Sequence, residues 1–504
     1  MAMYTSFFAL VFVACFLLWR NASRPKVPLP PGPRKLPLIG NLHDIRGRRM
    51  WEACKEWSKE YDSDIIHLNL VGTSVVFLSS LEAMETLLER RSSIYSDRPA
   101  MPMIELMGFG FLISSLRYGN EWRVQRRLMN QRLNVSECKT FRPQELTAVH
   151  ALLRRLLHTP DEFLDHIRLM AGELIIPLTY GIRVQPVYDP YITLAEEGVH
   201  QVIQVVPGRF LVDFLPFLKY VPEWMPGADF QRVLREARES LSMRPNVNWY
   251  NTGEAQPCFA VDALRELEFE GADKYYTEEA VKDVAAAMYG AGADTSVSVL
   301  SSFFLAMLSN PEAQKKAQRE IDEVVGKGQM PDSGDRAGMP YVAALLKEVL
   351  RWGTVAPLAL LHFLTVEDEY RGYRIPANSI IFMNLWAILN DEKMYPDPHT
   401  FNPDRFLLDG KPNQAVQDPS AVFGFGRRIC PGRHLADASV WLTIVSILAM
   451  FDITKPVGED GQVIEPSYEY TEGIICAPVP FKCSIRPRSQ VAVDAVQATT
   501  FSGV

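Results

Sequence analysis

Cys430 is set in the run FGFGRRICPG, residues 423–432, among Gly424, Gly426, Gly432, Arg427, Arg428 and Pro431, just ahead of a segment with helical character. Loop glycines let backbone N–H groups turn onto a sulfur, neighbouring guanidinium groups favour its anion, and a following helix contributes the positive end of its dipole. These features are expected to lower the thiol pKa, so the stretch reads as a metal ligand or a nucleophile. Pro431 withholds one N–H that could otherwise reach the sulfur.

Four other groups of residues have chemistry-bearing spacing. Trp122 and Arg126 stand four apart and share a helix face, offering an indole N–H and a guanidinium to one anion. Taken alone, the pair is also what a solvated basic helix face looks like. In Gly290-Ala291-Gly292-Ala293-Asp294-Thr295-Ser296, two glycines inside a helix cost about 1 kcal/mol each relative to alanine. Space for a ligand beside the helix would explain them, with a hydrogen bond opened locally and the Thr295 hydroxyl and Asp294 placed to use it. Close packing of two helices through small residues explains them as well. Glu348 and Arg351, three apart, suit an ion pair on one helix face, with Arg405 a candidate partner if the pair is buried. His362 is alone in an apolar run and by itself reads as a satisfied core histidine.

The elements that must position these residues follow from periodicity. A helix is predicted over about Arg48 to Tyr61, and a hairpin over Ile65 to Leu70 and Ser74 to Leu78. A further helix is predicted over Leu81 to Arg91. Ser96 to Tyr118, rich in Gly, Met and Phe with weak periodicity, reads as a long functional loop, and a helix starts near Asn120. From Val135 to about Leu350 the pattern is mostly helical, including a helix from Thr277 to about Leu308; Leu358 to Thr365 and Ser379 to Met383 read as strands. The segment from Pro207 to Phe230, crowded with Phe, Leu, Trp and Pro, is either buried core or an apolar surface near a channel or lipid.

The chain has 504 residues, is 47% hydrophobic and 22% charged, and can bury a large core. A net charge of −8 and the lack of a basic arm exclude nucleic acid as the main partner. Its seven cysteines are scattered without a C-x-x-C pair, as in a reducing compartment, and offer no zinc cluster. Met3 to Trp19 is uncharged and at the short end of a membrane-spanning helix, followed by Arg20, Arg24 and Lys26. Residues 3–19 therefore read as a single-pass anchor with the body in the cytosol, and a cleaved signal is disfavoured for want of a basic start and an A-x-A site. Residues 20–45 form a basic, proline-rich hinge, expected to be stiff and extended from Pro25 to Pro37, and 46–504 the catalytic domain. The sequons at Asn21 and Asn134 would stay unmodified in a cytosolic body.

The motifs Trp122-x-x-x-Arg126, Ala291-Gly292-x-Asp294-Thr295, Glu348-x-x-Arg351 and Phe423-x-x-Gly426-x-Arg428-x-Cys430-x-Gly432 occur in this order. With the anchor and the proline hinge, they resemble the cytochrome P450 family over Met3 to about Pro487, especially fungal members that tailor secondary metabolites. The resemblance implies a mainly α fold with small β-sheets (α+β), one large haem-thiolate monooxygenase unit anchored in the endoplasmic reticulum membrane. It implies haem b with its iron ligated by Cys430, and Phe423 and Gly432 as parts of the cysteine loop. It implies that Trp122, Arg126, Arg98, His362 and Arg428 hold the haem propionates. Asp294 and Thr295 match the family's proton-delivering acid–alcohol pair, and Glu348, Arg351 and Arg405 a buried structural triad. Electrons would come from NADPH through a separate cytochrome P450 reductase, since no dinucleotide fingerprint follows the haem loop. Arg427, Arg433, His434 and Lys139 are candidates for its docking face.

The leading reading is oxidation of a small apolar molecule with O2. An O2-independent haem-thiolate rearrangement is disfavoured by the intact Asp294-Thr295 pair, and a haem sensor or carrier by the expected pocket. Pocket walls are expected from Met101 to Leu112, Val206 to Phe217, Met288 to Ser296, Ala356 to Leu361 and Gly473 to Cys476, rich in apolar residues with few charges. A terpenoid fits such walls best, with an indole or an aromatic polyketide as alternatives.

Overall fold

The computed structural model describes residues 27–185, 189, 192–193, 198, 210–213, 216–225, 228, 230–241, 257–268 and 275–499. The proposed anchor, residues 3–19, and the start of the hinge lie outside them, as does half of the expected pocket wall from Val206 to Phe217. Residues 27–35 of the hinge form no helix and dock onto the body, Pro28 O accepting from Arg374 N at 2.7 Å and Pro31 O from His67 N at 2.8 Å. The hinge then turns at residues 37–39 and ends in a short α-helix, Leu42–Ile45, so it is not extended throughout.

Along the chain, helix α1 (Met50–Glu60) leads into strands β1 (Ile65–Leu70) and β2 (Thr73–Leu78). These pair antiparallel, Ile65 opposite Leu78, as the alternation predicts. The predicted helix from Leu81 to Arg91 is two structures: an α-turn at Leu81–Met84 and a wider π-helical segment at Glu85–Arg90. π segments are rare and recur at functional sites. The long loop from Ser96 to Tyr118 is largely irregular and carries the short helix Pro102–Leu106.

Five longer helices build the body around the site: α2 (Asn120–Arg132), α3 (Arg142–His158), α4 (Phe163–Tyr180), α5 (Glu278–Ser309) and, after an intervening helix, α6 (Pro340–Trp352). Thr277 caps α5 by accepting from Ala280 N. The predicted strand from Leu358 to Thr365 shortens to β3 (His362–Phe363), because Ala359 takes φ 50° and breaks the extended run. Strand β4 (Ile380–Met383) completes a four-stranded sheet of order β1-β2-β4-β3, parallel only between β2 and β4. Helix α7 (Arg433–Met450) starts directly after the cysteine loop, with Gly432 as its N-cap.

Both α5 and α7 are long and apolar enough to cross a membrane, yet 72% of each apolar window is buried inside the protein. They are core helices, hydrophobic nearly all round because neighbours cover them on most sides. Phe163 of α4 meets Phe304 of α5 at 4.9 Å between ring centroids. A Cβ on Gly292 would lie 3.0 Å from Ile175, so this glycine does serve helix–helix packing.

Candidate active site

Cys430 sits at the foot of α7, its N–H donating to Phe423 O at 2.7 Å to close the loop. Gly426 takes φ +56°, and a Cβ there would lie 2.2 Å from Leu88 O. Only glycine lets the cysteine loop approach the π-helical segment this closely. The expected lowering of the thiol pKa is corrected by burial, which pushes the Cys430 thiol up more than the Gly432 and Arg433 N–H groups and the Arg126 and Arg433 charges pull it down. Loop chemistry alone does not make this thiol an anion, whereas a metal bound to it would.

The cysteine borders a cavity of about 890 Å³ lined also by Trp122, Arg126, Arg98, His362, Arg428, Phe423, Gly432 and Thr295. Residues from the 96–118 loop, α2, β3 and the cysteine loop, far apart in sequence, thus share one chamber. The guanidinium of Arg428 donates to Ser96 O at 2.8 Å, Ile113 O at 3.1 Å and Leu116 O at 2.8 Å, and lies 4.5 Å from the Trp122 ring centroid. Arg98, 3% exposed, donates to Ser114 O at 2.8 Å and to Leu361 O. Arg126 donates to Ile429 O at 2.5 Å.

None of these three guanidinium groups pairs with a carboxylate among the described residues. The nearby Asp97 spends its Oδ1 on the N–H groups of Arg98 and Tyr118. Burial, with repulsion from neighbouring arginines, holds all three below the usual arginine range, Arg428 down to about 10. His362, 1% exposed, is held well below the usual imidazole value by burial and by the Arg98 charge, with Nδ1 2.8 Å from Tyr95 O. Buried cations without anions are expensive. A ligand carrying carboxylates on an apolar body answers that deficit, and the room available suits a large planar cofactor with space left over.

Across the cavity, Ala291, Gly292 and Thr295 of α5 form one wall. The helix is not opened here: Thr295 Oγ1 donates to Ala291 O at 2.8 Å, and Ser296 Oγ to Gly292 O at 2.7 Å, a hydroxyl bonding pattern that α-helices accommodate. Asp294 is not among the cavity-lining residues; its Oδ1 lies 3.2 Å from Arg168 Nη1 of α4. The Glu348 carboxylate is fully buried, accepting from Arg351 Nε and Nη2, both at 2.8 Å, from Arg405 Nε at 3.2 Å and from Asn402 N at 2.8 Å.

Expected wall residues that do line the cavity include Ile104, Phe109, Met288, Leu358 and Ile474. Val212 instead packs with Met103 and Ile104 in a separate apolar cluster. Sequence reasoning missed Arg48, Arg49 and Met50 at the start of α1, and Leu174, Ile175 and Tyr180 on α4. Nothing in the α1 segment distinguishes it from a surface helix start; on α4 the apolar coverage of nearly all faces was a usable signal.

The sequence profile of the Cytochrome P450 family matches residues 30–485. Cytochrome P450 monooxygenase 98 of Postia placenta is 44% identical over 493 residues, covering 95% of this chain and 94% of its own. Cytochrome P450 monooxygenase ple1 of Rhodocybe pseudopiperita is 43% identical, covering 95% and 93% respectively. The tryptamine 4-monooxygenase of Psilocybe cyanescens is 38% identical over 97% of this chain and 98% of its own. With a family profile spanning nearly the whole body around Cys430 and relatives this similar end to end, the chain belongs to the cytochrome P450 family.

Proposed function

We propose that this cytochrome P450 monooxygenase oxidises a neutral, apolar small molecule, terpenoid in character, in fungal secondary metabolism, with Cys430 as the residue that would hold the iron of haem b. Family members hold haem iron through a cysteine thiolate and receive electrons from a redox partner. The observation that carries the residue assignment is the convergence of three carboxylate-free guanidinium groups and Cys430 on one end of a largely apolar cavity. The bound haem would supply O2 activation and single-electron chemistry.

The chain's own residues then have these tasks. Arg98, Arg126, Arg428 and the Trp122 indole hold the haem carboxylates. A neutral His362 that gives its Nδ1–H to the Tyr95 carbonyl joins them only on protonation at Nε2, which a carboxylate charge favours. Phe423 O fixes the Cys430 amide, and the Gly432 N–H approaches the sulfur. Apolar walls orient the substrate and exclude water. Thr295 would hand on a proton by turning its hydroxyl from the Ala291 carbonyl toward the cavity, and Asp294, once it has left Arg168 and taken a proton from solvent, would resupply it.

An indole substrate is the second reading, favoured by the likeness to the tryptamine 4-monooxygenase. Glu472 is the one carboxylate among the described residues lining the cavity, and it lies opposite Arg49, so no free carboxylate awaits an ammonium group. That difference supports a neutral substrate.

Electrons are assigned to NADPH-cytochrome P450 reductase, and the anchor at residues 3–19 to the endoplasmic reticulum membrane. Tyr220 and Trp224, each 79% exposed, are of the type that settles at a membrane interface, in keeping with that placement. Co-expression with a reductase, feeding of terpene, indole and aromatic polyketide scaffolds, and mass spectrometry of the products test the function. Mono-oxygenated terpenes are expected; turnover of cationic or highly polar substrates alone overturns the reading.

A further inference from the structure

The cavity reaches solvent where two loops meet. One is the turn before α1, in which Gly47 takes φ +69° with open space where a side chain would be. The other is the tip of a tight turn closed by Thr471 N donating to Ala477 O at 2.8 Å and anchored by Cys476 N on Val355 O at 2.7 Å. Arg49 and Glu472, at these two tips and 423 positions apart in sequence, both line the cavity and are bonded Nε to Oε1 at 3.0 Å. Their side chains are 40% and 66% exposed, so the bond lies at the rim.

The mouth is electrostatically settled without any ligand. Arg49 also lies 3.5 Å from Glu52, and the neighbouring Arg48 is taken by Glu56. Among the described residues every charge there has a partner, so these side chains offer nothing to an ionic substrate and no strong barrier to a neutral one. Exposed pairs of this kind stabilise little and break easily. A weak bond joining two short loops across an opening can close it and yet open readily.

We propose that the Arg49–Glu472 ion pair is the latch over the mouth of the substrate cavity, governing how fast neutral apolar molecules pass in and out. The inference rests on the cavity being the substrate site. The latch acts on passage and not on the bound state, so association and dissociation rates change together and the dissociation constant does not.

The test is stopped-flow binding of 4-phenylimidazole, an apolar azole, to the full-length haem-loaded enzyme, followed by the haem absorbance. Arg49→Ala and Glu472→Gln are each expected to raise both rate constants about three-fold, in keeping with an exposed pair. The charge-reversed double variant R49E/E472R is expected to return to wild-type rates. Salt at about 0.5 M should quicken the wild type and leave Arg49→Ala unmoved. Wild-type rates in both single variants overturn the latch, as does a double variant as fast as the singles. A weakened dissociation constant with only dissociation altered also overturns it, since the side chains would then touch the ligand. Haem-loaded wild type that binds no azole at all refutes the cavity reading itself, an outcome separate from any failure of the latch.

Discussion

Cys430 shows how far residue chemistry alone can mislead. Its glycines, arginines and helix start suggest a thiol poised as an anion, yet burial outweighs them and leaves the free thiol protonated more readily than usual. The anion is then a property of the metal-bound site, which favours a ligand over a nucleophile. Cys430→Ser is expected to abolish the thiolate-type spectrum of the reduced CO complex together with turnover. Loss of turnover with that spectrum intact would return Cys430 to the role of nucleophile. Arg98, Arg126 and Arg428 carry the complementary message, since burying three guanidinium groups with carbonyl partners only makes sense beside an anion that the described residues do not supply.

Elements are held in register by single polar atoms as much as by packing. Glu348 on α6 gathers Arg351 from its own helix and Arg405 and the Asn402 N–H from the segment that leads to the cysteine loop. All of its bonds are dry, so removing the charge leaves Arg351 buried without an anion. Glu348→Gln is expected to cost about 3–5 kcal/mol, read as a fall in denaturant midpoint and in the yield of haem-loaded protein. A variant as stable as wild type would show that the carbonyl of Leu389, 2.9 Å from Arg351 Nη1, suffices. The π-helical turns at Glu85–Arg90 do comparable work sterically, since Leu88 O sets the limit that Gly426 must respect.

At the scale of the whole molecule, pH acts through buried carboxyls outside the site. Glu145 on α3 is 1% exposed, with Oε1 unpartnered, and burial pushes its carboxyl up to about 7. Asp213, which accepts from Met103 N at 3.1 Å, is pushed up to about 6 for the same reason. Both values lie above those of the unfolded chain, so the stabilisation is full below about pH 4 and is lost as pH rises through 6 to 7. Raising the pH from 5 to 8 is expected to lower stability by on the order of 2 kcal/mol through Glu145. Glu145→Gln should remove most of that slope in Tm measured across the range; an unchanged slope would place its origin elsewhere.

The sequence by itself determined the helix and hairpin framework, the cysteine loop and the Glu348–Arg351 pair, because each depends on residue type at fixed short spacing. It also anticipated the apolar walls at Phe109, Met288 and Leu358, since cavity-lining stretches share a composition. Only the tertiary structure decided that burial controls the thiol, that Asp294 turns to Arg168, and that Gly292 packs on Ile175 while still bordering the cavity. It alone joined Arg49 to Glu472 across the mouth. Desolvation, the facing of a side chain and contacts between distant segments depend on what other parts of the chain place nearby, and no local pattern encodes them.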